Sequence, residues 1–333
     1  MTAMMTALIA VVAAFFAGML IAPAYIRFAR RTRSSQTILS YVDQHADKKD
    51  TPTMGGIVFI LAAIGVTLAF GGYKSRLCLV ILLIFFAYGV IGFLDDFIKV
   101  KLKRNKGLKA YQKVIAQLAV AITAAYFCSK SPYIGTKIAL PIVGGEADLG
   151  VWYIPFAAFV FLAMSNAVNL TDGLDGLAGS STVAYMVTFT IIIALLLSSA
   201  LADGQTLYAE ELNKLAVFAC SLIGALLAFL WYNSYRASMF MGDTGSLSLG
   251  GAVAAIALFV RNPLISAFVG IMYVVSCVSV ILQVAVYKTK GKRVFLMSPF
   301  HHHLELKGFN ETKIVAFYGI ITAIAGVVSL IIM

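Results

Sequence analysis

The sequence predicts an all-α polytopic membrane protein with about ten transmembrane helices and both termini on the extracytoplasmic side. Three observations carry that reading. First, 61% of the 333 residues are hydrophobic and 12% are charged, against about 45–50% and about 25% in soluble domains. The mean hydropathy of +0.91 agrees. Second, ten windows lack Asp, Glu, Lys and Arg and approach the roughly 20 residues a spanning helix needs. Third, the basic residues sort by loop. Loops 27–50, 95–113, 172–175, 236–243 and 288–313 carry 20 of the 26. Lys74, Arg76, Lys130, Lys137, Lys214 and Arg261 make up the opposite side. Cytoplasmic loops collect Lys and Arg, so the first set is placed in the cytosol.

The windows follow in order. They are 1–26, 51–73, 77–94, 114–129, 149–171, 176–202, 215–235, 244–260, 262–287 and 314–333. The first basic residue, Arg27, follows the first window, whereas a secretory leader carries its charge ahead of the apolar run. Pro52 suits a first helical turn. Between the fourth and fifth windows, Pro132, Gly135, Pro141, Gly144 and Gly145 flank short β-branched runs. That stretch reads as a small extracytoplasmic β-hairpin near 132–148 or as a plain loop. No linker divides the chain, so 1–333 is expected to be one integral membrane domain. Its cytoplasmic loops fall at about 27–52, 95–113, 171–176, 233–243 and 288–313.

The net charge of +11 would point to nucleic acid in a soluble protein. Here the loop asymmetry accounts for it, and the expected partner surface is the lipid bilayer. Cys78, Cys128, Cys220 and Cys277 lie within apolar segments without C-x-x-C spacing, so neither a zinc site nor a disulfide framework is expected.

Function is carried by the scarce acidic residues. Asp95, Asp96, Asp172, Asp175 and Asp243 all fall at predicted helix ends on the cytoplasmic side. Ionisable groups at a membrane boundary are expensive and mark function. Asp95 and Asp96 close a helix, where the dipole disfavours carboxylates, and adjacent carboxylates suit a base or a metal site. Asp172 and Asp175 sit in Asn169-Leu170-Thr171-Asp172-Gly173-Leu174-Asp175-Gly176, three residues apart. Asp243 lies between Gly242 and Thr244, and glycine there lets a phosphate approach backbone amides. N-capping is the alternative reading for Asp172, Asp175 and Asp243.

His301, His302 and His303 are three of the four histidines. Helical neighbours diverge by about 100°, so the three cannot face one ligand. One or two are read as proton donors or phosphate ligands. Lys48, Lys49 and Thr53-Met54-Gly55-Gly56 form another polar cluster, with snorkelling lysines as the plain alternative. The basic loop 99–113 serves orientation or an anionic headgroup. Carboxylates without thiolates suit a hard cation, most simply Mg²⁺. With lysines, histidines and glycine-flanked amides they suit phosphoryl chemistry, while the lack of a Walker A motif leaves ATP hydrolysis unsupported.

Five motifs, in order, resemble the phospho-N-acetylmuramoyl-pentapeptide-transferase family of polyprenyl-phosphate N-acetylhexosamine-1-phosphate transferases. They are Thr51-Pro52-Thr53-Met54-Gly55-Gly56, Gly92-Phe93-Leu94-Asp95-Asp96, the Asn169–Gly176 run, Phe240-Met241-Gly242-Asp243-Thr244-Gly245-Ser246 and Pro299-Phe300-His301-His302-His303-Leu304-Glu305. The resemblance implies transfer of phospho-MurNAc-pentapeptide from UDP-MurNAc-pentapeptide to undecaprenyl phosphate, with Mg²⁺ and often a homodimer. By motif position Asp243 would bind Mg²⁺. Asp95, with Asp96 beside it, would act as base on the lipid phosphate. His301, His302 and His303 would line the phosphate or sugar-peptide pocket. Lys48, Asn169, Asp175, Asn233 and Phe240 would hold the uridine, Phe240 by stacking. Thr53, Asp172 and Gly242 would border that pocket, and Lys113 would contact the lipid phosphate. A sibling transferase using UDP-GlcNAc is the nearest rival. A lipid transporter would instead show mid-span charges or broken helices in matched halves.

Overall fold

The structure is a computed structural model that describes residues 3–32, 51–102 and 107–333. Helices dominate. α1 (Ala3–Arg31), α2 (Gly56–Ala69), α3 (Arg76–Lys101) and α4 (Ala110–Lys130) precede a two-stranded ribbon. α5 (Tyr153–Thr171), α6 (Leu177–Ala202), α7 (Thr206–Asn233) and α8 (Gly242–Phe259) follow it. The chain closes with α9 (Pro263–Val269), α10 (Ile271–Lys290), α11 (Phe300–Leu306) and α12 (Glu311–Ile332). Each of the ten apolar windows contains a helix, so the protein is an all-α polytopic membrane protein. Among the described residues, nine helices are long and apolar enough to cross a bilayer. The tenth, α2, has only 14 residues. At 1.5 Å per residue it falls short of a hydrocarbon core about 30 Å thick.

Two details depart from the windows. The ninth window is broken at Gly270 into α9 and α10. Pro263 starts α9 at a position where its missing N–H costs nothing. In addition, α1 and α3 run past their windows to Arg31 and Lys101, and α11 occupies part of the last loop. Basic residues in a last turn complement the helix dipole, so a charge-free window ends too early there.

α8 lies at the centre, with every residue from Thr244 to Val260 buried. It packs against α3, α5, α2 and α6. Gly245, Gly250 and Gly251 let neighbours approach its backbone: a Cβ at Gly250 would meet the Ser165 backbone, and one at Gly251 the Tyr88 ring. Small residues replace a hydrophobic driving force as the basis of helix association in lipid. α7 fills a second interior position between α1, α6 and α2. Buried hydroxyls bond back along their own helices, as Thr171 does to the Ala167 carbonyl at 2.8 Å and Thr182 to that of Ala178 at 2.7 Å. Large side chains such as Leu20, Leu83 and Ile331 point outward, as a lipid-facing surface requires.

The ribbon pairs β1 (Lys137–Ala139) antiparallel with β2 (Glu146–Asp148), Ile138 opposite Ala147. The hairpin reading of this stretch therefore holds over the loop alternative. Arg261, just beyond α8, pins it with an ion pair to Glu146 at 2.9 Å. The opposite end of the bundle gathers the C-terminal ends of α3, α5 and α7, the N-terminal ends of α2, α4, α6 and α8, and α11.

Candidate active site

α3 and α8 bring the acidic residues together. They cross closely enough that a Cβ on Gly92 would overlap the Asp243 backbone. One turn further along α3, Asp95 and Asp96 then face the first turn of α8. Carboxylate oxygens of Asp95, Asp96 and Asp243 all lie within 4.8 Å of one another. The Lys99 ammonium stands among them, 2.6 Å from Asp95, 2.9 Å from Asp243 and 3.7 Å from Asp96. Lys113, from the first turn of α4, reaches Asp243 at 3.0 Å and the Asn169 side-chain oxygen at 3.4 Å. Asn169, from the last turn of α5, donates to Asp243 and to Ser246 Oγ, both at 2.8 Å. Asp243 thus receives two ammoniums and an amide.

The other two carboxylates are held differently. Asp96 is fully buried, and its Oδ2 accepts the Thr244 amide at 2.9 Å and hydroxyl at 2.7 Å. Its Oδ1 has no hydrogen-bond partner. Asp95 accepts the Leu108 amide at 2.7 Å through the oxygen that does not pair with Lys99. Gly107 lies flat against that carboxylate, where any Cβ would collide with it. Three carboxylates face two ammoniums, which leaves one negative charge to balance. An orphaned buried oxygen, an all-oxygen donor set and that excess charge fit a hard divalent cation.

Gly242 and Met54 close the far wall. Gly242 has φ +72° and Met54 φ +63°. A Cβ at Gly242 would meet Asp96 Oδ2, the Met54 amide and Thr53 Oγ1. Thr53 is fully buried and its hydroxyl has no partner. Phe240 is held through its backbone, its amide to the Pro52 carbonyl and its carbonyl to the Gly55 amide, both at 2.8 Å.

The Asn169–Gly176 run turns from α5 into α6 beside this cluster. Asp172 is part-exposed, yet protein surrounds most of it. That desolvation, then the charges of Asp243, Asp96 and Asp175, holds its carboxyl well above the usual carboxylate range. Asp175 and Asn233, expected to hold a uridine, brace the walls. Asp175 accepts the Ala237 amide at 3.0 Å. Asn233 accepts the Gly176 amide at 3.1 Å and donates to the Met239 carbonyl at 2.9 Å. Glu311, at the start of α12, accepts the Asp175 amide at 2.7 Å.

The three histidines part ways. His303 accepts the Leu296 amide at 3.2 Å and packs against Phe295 and Phe300. His302 pairs with Glu305 at 2.6 Å. His301 alone is fully buried with neither ring nitrogen bonded, and its Nε2 lies where a Cβ of Gly173 would be. Burial, aided by His302 and opposed by Glu305, pushes its imidazole down to about 3. An unfolded histidine takes its proton near 6.5, so the unfolded chain binds the extra proton below that pH. Folded stability is therefore lost as pH falls from about 6.5 toward 3. Thermal unfolding in detergent should show a lower Tm at pH 5 than at pH 7.5, and His301→Gln should flatten that difference.

Lys48 lies outside the described residues. Lys99 stands in the sequence only as part of the basic loop 99–113, and Thr244 and Ser246 only as members of the Phe240–Ser246 motif, with no role of their own. Lys99 had a signal, since it stands at i+4 from Asp95 and i+3 from Asp96 on a helix. The hydroxyls of Thr244 and Ser246 carried none.

This multi-helix membrane domain, with its acid-and-lysine cluster at one bundle end, belongs by its sequence profile to a class of glycosyl transferases. The profile described as glycosyl transferase family 4 matches residues 78–261. Signature 1 of phospho-N-acetylmuramoyl-pentapeptide-transferase matches residues 48–60. A protein of that name from Clostridium novyi (strain NT) is 43% identical over 315 residues, covering 94% of this chain and 93% of the relative. One from Clostridium kluyveri (strain NBRC 12016) is 44% identical, with 94% and 95% covered. One from Thermoanaerobacter pseudethanolicus is 43% identical over 319 residues, with 96% of each chain covered. The chain belongs to the phospho-N-acetylmuramoyl-pentapeptide-transferase family.

Proposed function

We propose that this protein transfers phospho-MurNAc-pentapeptide from UDP-MurNAc-pentapeptide to undecaprenyl phosphate, forming lipid I and UMP. The observation that carries this reading is the convergence of Asp95, Asp96, Asp243, Lys99 and Lys113 at one end of the bundle, in a chain of this family. The basic loops on that end support a site on the cytoplasmic face of the cell membrane. The soluble nucleotide sugar then arrives from the cytosol and the lipid acceptor from the bilayer. All of 1–333 serves as one transferase domain, and the homodimer rests on the family resemblance.

The reaction forms a bond between a lipid phosphate oxygen and the donor's β-phosphorus. The bond from that phosphorus to the bridging oxygen breaks, and its electron pair leaves with UMP. Asp96 Oδ1, Asp243 and Asp95 are the groups that would hold Mg²⁺, whose charge would stabilise the diphosphate as it separates. Asp243 is bound on one oxygen by Lys113 and on the other by Asn169, which leaves it poorly placed as a nucleophile. Direct attack by the lipid phosphate therefore fits better than an aspartyl intermediate. A phosphate monoester is largely ionised at neutral pH, its second pKa being about 6, so it needs orientation more than a base. Asp95, which accepts the Leu108 amide, is read as the residue that fixes the Gly107–Leu108 turn beside the cluster. Lys113 offers a cation to the acceptor phosphate. His301, buried against Gly173, supports the turn on the sugar-peptide side of the site. Phe240, Thr53, Gly242 and Asp172 border the nucleotide, while Asn169, Asp175 and Asn233 keep its walls in place, and the motif assigns Lys48 to the uridine.

The test is a donor competition with purified protein and undecaprenyl phosphate. UDP-MurNAc-pentapeptide should yield UMP and UDP-GlcNAc should not compete at equal concentration. EDTA should abolish turnover and Mg²⁺ should restore it. Preference for UDP-GlcNAc would assign the chain to a sibling reaction.

A further inference from the structure

We infer that the Lys99 ammonium and a divalent cation are alternative occupants of one position, so that metal loading expels Lys99 from among Asp95, Asp96 and Asp243. The inference rests on the metal-assisted reading above. Lys99 contacts all three carboxylates, at 2.6, 3.7 and 2.9 Å, and these are the three whose oxygens cluster within 4.8 Å. An ion held by those three carboxylates would have to take the position among them that the ammonium now occupies. Two cations cannot share that space. The ammonium also serves the site unequally: it stands 3.7 Å from Asp96 Oδ1, a buried atom with no hydrogen-bond partner. A dication with shorter bonds would engage that oxygen.

Lys99 has a way out. It lies in the last turn of α3, with its side chain 19% exposed, on a flexible four-carbon stem. Lys113 differs. It touches Asp243 at 3.0 Å, on the oxygen Lys99 also reaches, but no other carboxylate of the three, so it flanks the cluster rather than standing among its members. In the metal-free protein Lys99 keeps three crowded carboxylates from repelling one another. It would also set a threshold that a metal must exceed to load the site.

Mn²⁺ binding to the purified full-length protein, read by electron paramagnetic resonance without substrates, tests this. Lys99→Met should bind Mn²⁺ about tenfold or more tightly than wild type, because a buried like charge is removed from the metal's own position. Lys113→Met removes the same charge from beside one carboxylate only and should tighten binding far less. Lys99→Arg should stay near wild type. In EDTA, Lys99→Met should melt below wild type, and Mn²⁺ should raise its Tm by more than it raises that of wild type. Equal Mn²⁺ affinity in wild type and Lys99→Met, or equal effects of the two Met variants, would overturn the exchange while leaving the metal site standing. No Mn²⁺ binding in any variant would overturn the exchange and the metal-assisted reading together.

Discussion

Asp243→Asn is expected to lower lipid-dependent UMP formation by about 10³-fold or more, the scale on which loss of a preorganised charged group falls. The substitution keeps the size and shape of the side chain at the head of α8. It removes the charge that Lys99 and Lys113 share at 2.9 and 3.0 Å. It also puts an amide where Asn169 now donates at 2.8 Å. Two ammoniums then lack their common partner, and the carboxylate cluster loses one of its three members. The loss should appear in kcat, because the group is assigned to charge development during transfer. Steady-state kinetics on protein with an unchanged melting profile would check it. A variant within tenfold of wild type would remove Asp243 from the centre of the mechanism.

Gly92→Ala should be the most damaging change outside the charged residues. A Cβ at that position collides with the Asp243 carbonyl and the Thr244 amide. These are backbone atoms of a helix buried on every side, so neither can yield alone. α3 and α8 must separate at the level where Asp95 and Asp96 meet Asp243. Overpacking of this kind costs about 1–3 kcal/mol. The functional loss should be larger, about 10²-fold in kcat/KM, because a shift near 1 Å misaligns the reacting groups. Thermal unfolding and kinetics on the same preparation would separate the two effects. Gly65→Ala, on α2 with open space around its Cβ position, is the control and should leave both nearly unchanged.

Much of this was legible in the chain. Apolar runs bounded by charge located eleven of the twelve described α-helices, all but α11, because a bilayer punishes ionisable groups strongly enough to make their absence a length gauge. The proline and glycine pattern at 132–145 pointed to the ribbon. The acidic residues were legible as a group because they are so few and fall at one set of helix ends. Three things were not. The break at Gly270 lies between two equally apolar segments, so no change of composition marks it. The short α2 sits in a window whose length includes loop residues on both sides. The division of labour among His301, His302 and His303 depends on Gly173, Glu305 and Leu296, contacts that neighbouring positions in sequence do not encode. Lys99 lay between these cases. Its helical spacing from Asp95 and Asp96 was readable, yet positive-inside bias already accounted for its charge.

The central claim is that a lipid phosphate attacks the nucleotide sugar directly at the Asp95–Asp96–Asp243 cluster. It is tested most directly by measuring UMP from stoichiometric enzyme and UDP-MurNAc-pentapeptide, with Mg²⁺, in the absence and presence of undecaprenyl phosphate. The account predicts no UMP until the lipid is added, and then one UMP for each lipid I formed. A burst of UMP matching the enzyme concentration without lipid would contradict it, because the sugar phosphate would then have passed first to the protein.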